Sequence, residues 1–125
     1  DANIPEKERE WLENDLRGAA EPVIVFIHQQ LDGTGSHTVK NAPQIRALLE
    51  ESGNVRAVFQ GHNHAGPYST INTIHYYTLK AMVEGSGKDN SSYAVVEVRP
   101  DHDIVVTGYR RADNRELAVD GKEAV

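Results

Sequence analysis

The chain has 125 residues, a net charge of −6 at neutral pH, 38% hydrophobic and 26% charged residues, and no cysteine. Those values suit one globular domain with a modest core rather than a disordered chain, and they exclude disulfides and thiolate metal sites. The acidic balance, with Arg110-Arg111 as the densest basic spot, argues against a phosphate-tracking nucleic-acid surface.

Residues 5–20 read as an amphipathic helix. Pro5 suits a first turn, Glu6, Glu8 and Glu10 suit the positive end of the helix dipole, and Trp11, Leu12 and Leu16 form an inward stripe. Val23-Ile24-Val25-Phe26-Ile27 is a continuous apolar run of strand length, expected to be buried on both faces. The loop Gln29 to His37 follows. Asn41 is placed to cap a second helix, with Pro43 in its first turn, Ile45, Leu48 and Leu49 buried, and Gly53 at its exit. Val55 to Phe59 is a second buried strand. Residues 68–83 are β-rich with a bend at Asn72-Thr73. Residues 93–99 and 104–110 form a hairpin about the turn Pro100-Asp101-His102-Asp103. The segment 112–125 is polar and expected to fray. No apolar run approaches the ~20 residues of a membrane span. Asp1-Ala2-Asn3 shows none of the basic and apolar stretches of a signal peptide, and compartment is left open.

The order helix, strand, helix, strand, then β-rich segments, predicts an α/β fold with a mixed sheet and a terminal hairpin. Both central strands end in histidine: His28 follows the first, and Gly61-His62-Asn63-His64 follows the second. Ligands collect at the carboxyl ends of strands in open α/β sheets, so neighbouring strands would bring three imidazoles to one edge. Imidazole is a common metal ligand, neutral near pH 7. A tight turn can splay two histidines one residue apart toward two different ions, and Gly61 permits an unusual backbone angle there.

His28, His62 and His64 are therefore the candidate metal ligands, while each alone has an ordinary structural reading. His75 reads first as a packed, hydrogen-bonded strand residue and second as pocket wall. His37 reads as an exposed loop residue or as part of a wall over a substrate. Asn63 and Tyr68 complete the candidate pocket. His102 is a turn residue, with Asp101 and Asp103 beside it as turn formers. Asp32-Gly33-Thr34-Gly35 lacks the Gly-Lys-Ser/Thr ending of a phosphate-binding loop.

Val23 to His28 followed by Phe59-Gln60-Gly61-His62-Asn63-His64 resembles the last two signature motifs of calcineurin-like metallophosphoesterases. Glu10 to Leu16 resembles the helix which that family often places before the first of these strands. Tyr76 to Gly85 and Ser92 to Val98 resemble the branch that includes manganese-dependent ADP-ribose and CDP-alcohol diphosphatases. The likeness covers about residues 5 to 111. It implies the C-terminal half of an αββα sandwich with mixed sheets. It also implies a phosphorylated small-molecule substrate and two divalent ions (manganese, iron or zinc), with His28 and His62 on one ion and His64 on the other.

The family's three earlier motifs are Asp-x-His, Gly-Asp-x-x-Asp and Gly-Asn-His followed by an acid, and none occurs in this sequence. The resemblance assigns them the bridging carboxylate, further ligands and the histidine beside the leaving group. Residues 1–125 are thus expected to form a single partial domain without a catalytic residue of its own. The parent would hydrolyse phosphomonoesters, phosphodiesters or diphosphates, this chain alone would be inactive, and an apolar face would drive self-association. The alternatives are a mononuclear histidine metal module and a non-catalytic β-rich interaction domain.

Overall fold

In a computed structural model, residues 2–121 and the backbone of residues 123–124 are described. Helix α1 spans Glu6–Gly18. The Pro5 carbonyl accepts from the N–H groups of Glu8 and Arg9, each at 3.1 Å, and starts the helix without a side-chain cap. Strand β1 (Val23–Phe26), helix α2 (Ala42–Ser52), and strands β2 (Val55–Gln60), β3 (Tyr68–Ile71) and β4 (Ile74–Thr78) follow. After a short 3-10 turn at Lys88–Asn90 come β5 (Tyr93–Val98), β6 (Ile104–Tyr109), β7 (Arg115–Leu117) and β8 (Glu123–Ala124).

Two four-stranded sheets result. The first has the order β1-β2-β4-β3, with β1, β2 and β4 parallel and β3 antiparallel to β4. The second, β5-β6-β7-β8, is antiparallel throughout. The α/β expectation and the hairpin hold. Strand β2 explains the layering. Val55 and Val58 join Leu16, Ile45, Leu49 and Tyr76 in a core beneath the helices. Ala57 instead faces the second sheet, in a core with Tyr77, Ile104, Val106 and Leu117. A strand covered by helices on one side and a sheet on the other must be apolar on both faces, and every residue of β4 is buried for the same reason.

Three expectations change. Trp11 is 61% exposed rather than part of the inward stripe. At about 100° per residue it lies about 140° around the helix from Leu16, and α1 packs chiefly on α2, so one narrow stripe suffices. Strand β1 is not buried on both faces, because it is the edge of its sheet, and Phe26 is 75% exposed. Asn41 occupies the N-cap of α2 but makes no capping side-chain bond. Its Oδ1 accepts from Ile4 N–H at 2.9 Å and its Nδ2 donates to Ile4 O at 2.8 Å, which ties the N-terminal segment to α2. Gly53 does close α2 in the left-handed conformation, φ 70°.

The segment read as a polar tail carries β7, and its Ala112 and Leu117 are buried. Residues 122 and 125 of that segment lie outside the described residues. His75, 1% exposed, bridges the layers: Tyr68 Oη donates to its Nδ1 at 2.7 Å, and its Nε2 donates to Ala118 O at 2.8 Å. A carbonyl can only accept, so the proton sits on Nε2. Arg115 lies 4.1 Å over the Tyr68 ring.

Candidate metal centre

The two histidine motifs meet because the β1–β2 ladder continues past both strand ends. Ile27 N–H donates to Phe59 O at 3.0 Å, and Gly61 N–H donates to His28 O at 2.9 Å. Across the sheet, Leu79 N–H donates to Gln60 O at 2.9 Å. Gly61 is close-fitted rather than oddly twisted: a Cβ there would lie 3.4 Å from the His28 carbonyl. The left-handed angle expected at Gly61 falls on His62 itself, φ 62°. Such a conformation is disfavoured for residues with a Cβ and persists where the surroundings over-determine it. Here Asn63 N–H donates to Gly61 O at 2.7 Å, and Gly66 N–H to Asn63 O at 3.0 Å.

His28 Nε2 and His62 Nδ1 face each other at 3.3 Å, with the rings edge-on at 5.2 Å between centroids. Two nitrogens on one tetrahedral ion, each about 2.0–2.1 Å from it, stand about 3.3–3.4 Å apart. The pair thus fits a shared cation as well as it fits one shared proton. His37 approaches too, 5.3 Å from the His62 ring. Its loop folds back through the pairing of Gln30 with Thr38, where Gln30 N–H donates to His37 O at 3.0 Å and Val39 N–H to Gln30 O at 3.0 Å. His64 points elsewhere and pairs through Nδ1 with Glu84. Partial desolvation, and then the positive charge that His28, His37 and His64 can carry, lower the His62 pKa from 6.5. His62 is therefore neutral and free to donate a lone pair at pH 7.

Among the described residues, no three His, Asp or Glu side chains converge as a metal site. His28 and His62 thus face each other, while His64 stands apart with Glu84. Asn63 lies in the turn and is held through its amide. Tyr68 Oη is bonded to His75 Nδ1 and His75 Nε2 to Ala118 O, and His75 pairs with Ala57, three residues back along β2 from Gln60. Beside His28 opens a cleft of about 480 Å³ between the two sheets, walled by Phe26, Phe59, Tyr77 and Val96. Val98, on the same face of β5 as the cleft-lining Val96, is 55% exposed. Glu84 was not singled out as a partner in the sequence, and Asp32 entered only in the discounted comparison with a phosphate-binding loop. Both lie in aperiodic loops, where no spacing rule marks a carboxylate as a partner.

This fold is that of a metallophosphoesterase-type sandwich. Over 117 residues, 88% of its length, the chain is 28% identical to the manganese-dependent ADP-ribose/CDP-alcohol diphosphatase of Oryza sativa subsp. japonica. Its fold matches that of a dimetal phosphatase from Danio rerio with a TM-score of 0.80 over 93% of the chain, at 20% identity. The chain spans 36% of the length of the first and 38% of the second. No family model matches it. The homology and the shared fold together support a calcineurin-like metallophosphoesterase fragment. The first relative is named as a manganese-dependent diphosphatase and the second as a dimetal phosphatase.

Proposed function

We propose that this chain supplies the histidine side of a binuclear metal centre in a phosphohydrolase acting on phosphorylated small molecules. His28 and His62 hold one divalent ion and His64 holds the second. The observation that carries this reading is the pair of facing ring nitrogens 3.3 Å apart at the carboxyl edge of two parallel strands. When bound, the ions would supply Lewis-acid neutralisation of the charge on a phosphate. The protein's share is to hold the imidazoles neutral and fixed, with His37 and Asn63 as the nearest wall for a substrate. Glu84, as acceptor of the His64 Nδ1 proton, leaves Nε2 of that ring for an ion. Imidazole suits iron and zinc, manganese takes oxygen donors more readily, and the name of the diphosphatase relative favours manganese.

The bridging carboxylate is not among these residues. With neutral imidazoles alone, two dications would repel one another across a short gap. The chain by itself is therefore expected not to turn over bis-p-nitrophenyl phosphate with Mn²⁺ above a His64→Ala control. Turnover that His64→Ala abolishes would show that carboxylates outside our assignment complete the centre. The apolar edge formed by Phe26 and the β5 valines supports self-association, expected as a dimer or larger species in light scattering. A clean monomer would contradict it.

A further inference from the structure

Behind the histidine turn lies a polar network that the proposed chemistry does not use. Its centre is Asp32. Oδ1 accepts from Gln60 Nε2 at 2.6 Å and from Gln30 Nε2 at 3.3 Å, and Oδ2 accepts from Ser69 Oγ at 2.5 Å. Gln30 and Gln60 are each only 4% exposed. An ionised carboxylate accepts and cannot donate, whereas a primary amide has one accepting and one donating end. Both glutamines must therefore turn their NH₂ groups toward Asp32.

That choice propagates. With Nε2 on Asp32, Gln30 presents Oε1 on its far side, where it accepts from Asn63 Nδ2 at 3.0 Å. Asn63 must then present Oδ1 to the turn, where it accepts from Ala65 N–H at 3.2 Å. Along the other arm, Gln60 Oε1 accepts from Leu31 N–H at 2.9 Å and Nε2 also donates to Thr78 Oγ1 at 2.9 Å. One carboxylate thus sets the sense of three amides, and the last of them stands between His62 and His64. His62 is the residue held in the left-handed region.

We propose that Asp32 is the positioning residue of the histidine turn. It acts through Gln30 on Asn63 and so holds His62 and His64 in their splayed arrangement. Its consequence for metal binding rests on the reading of those histidines as ligands; its consequence for the turn does not.

NMR of the metal-free chain separates the two. A left-handed residue has a short N–H to Hα distance and a strong intraresidue Overhauser effect. Asp32→Ala is expected to remove that signal at His62 and to speed exchange of the Asn63 side-chain NH₂ on the order of tenfold. Asp32→Asn keeps an accepting Oδ1 for both glutamines, and the Ser69 hydroxyl can rotate to accept, so it restores both signals. Ser69→Ala is expected to lower stability while leaving His62 unchanged, which separates positioning from general loosening. Should Asp32→Ala not fold, Gln30→Met cuts the relay and leaves the carboxylate in place, with the same loss expected at His62. Retention of both signals in Asp32→Ala, or in Gln30→Met, overturns the proposal. Added Mn²⁺ is expected to broaden the His62 and His64 ring signals, and Asp32→Ala to require on the order of tenfold more Mn²⁺. Absence of broadening in the wild-type chain would sink the metal reading, while the Overhauser result would still uphold the positioning role.

Discussion

Replacing His62 by glycine is expected to stabilise the chain and to cost it metal at the same time. His62 holds φ 62° with a Cβ attached. Glycine adopts that angle without steric cost, although it also has more freedom to lose on folding. The ring of His62 is exposed and gives the core little. The steric relief should therefore prevail, raising Tm by about 2–4 °C in a scan of wild type against variant. Loss of the Nδ1 that faces His28 should meanwhile raise the Mn²⁺ needed to broaden the His28 ring on the order of 100-fold. Acid should lower the stability of the wild type through the same residue. The folded-state pKa of His62 lies below its unfolded value near 6.5. The unfolded chain therefore binds more protons in that window, and stability is lost as pH falls below 6.5 through the lowered His62 value. His62→Gly should flatten that part of the profile. A variant less stable than wild type would show that the turn does not strain His62.

The largest loss of stability is expected at Gly108, in β6. A Cβ at this position would lie 2.2 Å from Ala112 O, 2.4 Å from its carbonyl carbon and 2.6 Å from Asp113 O. All three are backbone atoms of the turn leading into β7, so no side chain can move aside. Gly108 N–H also donates to Asn114 Oδ1 at 2.8 Å, which draws that turn against the strand. Gly108→Ala must displace the turn, and with it the buried Ala112 and the Tyr77 Oη donation to Asp113 O at 2.8 Å. The expected cost is about 3 kcal/mol or more by chemical denaturation. Gly18→Ala, where a Cβ would meet nothing within 4 Å, is the control and should gain a few tenths of a kcal/mol at about the scale of helix propensity. Near-equal midpoints for the two variants would show that the 110–114 turn yields freely.

How far the sequence could be read follows from which residues obey a period. Val55 to Phe59 and Ile74 to Tyr77 are apolar apart from Arg56 and His75 because both faces are covered, and such runs are legible without a structure. Gly53, the bend at Asn72-Thr73 and the turn at 100–103 were readable because few residues accept those angles. Asn72, Thr73 and His102 all take positive φ. Trp11 and Phe26 misled, since hydrophobicity predicts burial only where something lies opposite. Phe26 lies on an edge strand, and Trp11 on the face of α1 turned away from α2.

Part of the site was legible for the same physical reason. Strand ends in neighbouring parallel strands must coincide, so His28 and Gly61-His62-Asn63-His64 had to meet if β1 and β2 paired. The approach of His37 was not legible, because it depends on the Gln30–Thr38 pairing across a loop. Nor was Glu84, which reaches His64 from 20 residues downstream in irregular backbone. The Asp32 network escaped as well. Hydrogen-bonded amides need matched directions rather than a repeating pattern, and direction is a property of the folded chain.

The central claim is that His28 and His62 share an ion. Its most direct test is Mn²⁺ titration of the ¹⁵N-histidine-labelled chain at pH 7.5, following every imidazole. Simultaneous broadening of His28 and His62 at the lowest Mn²⁺, lost from both rings in His28→Ala, is the expected result. Broadening of His62 that persists unchanged in His28→Ala would contradict a shared ion and reduce the 3.3 Å contact to a hydrogen bond between rings.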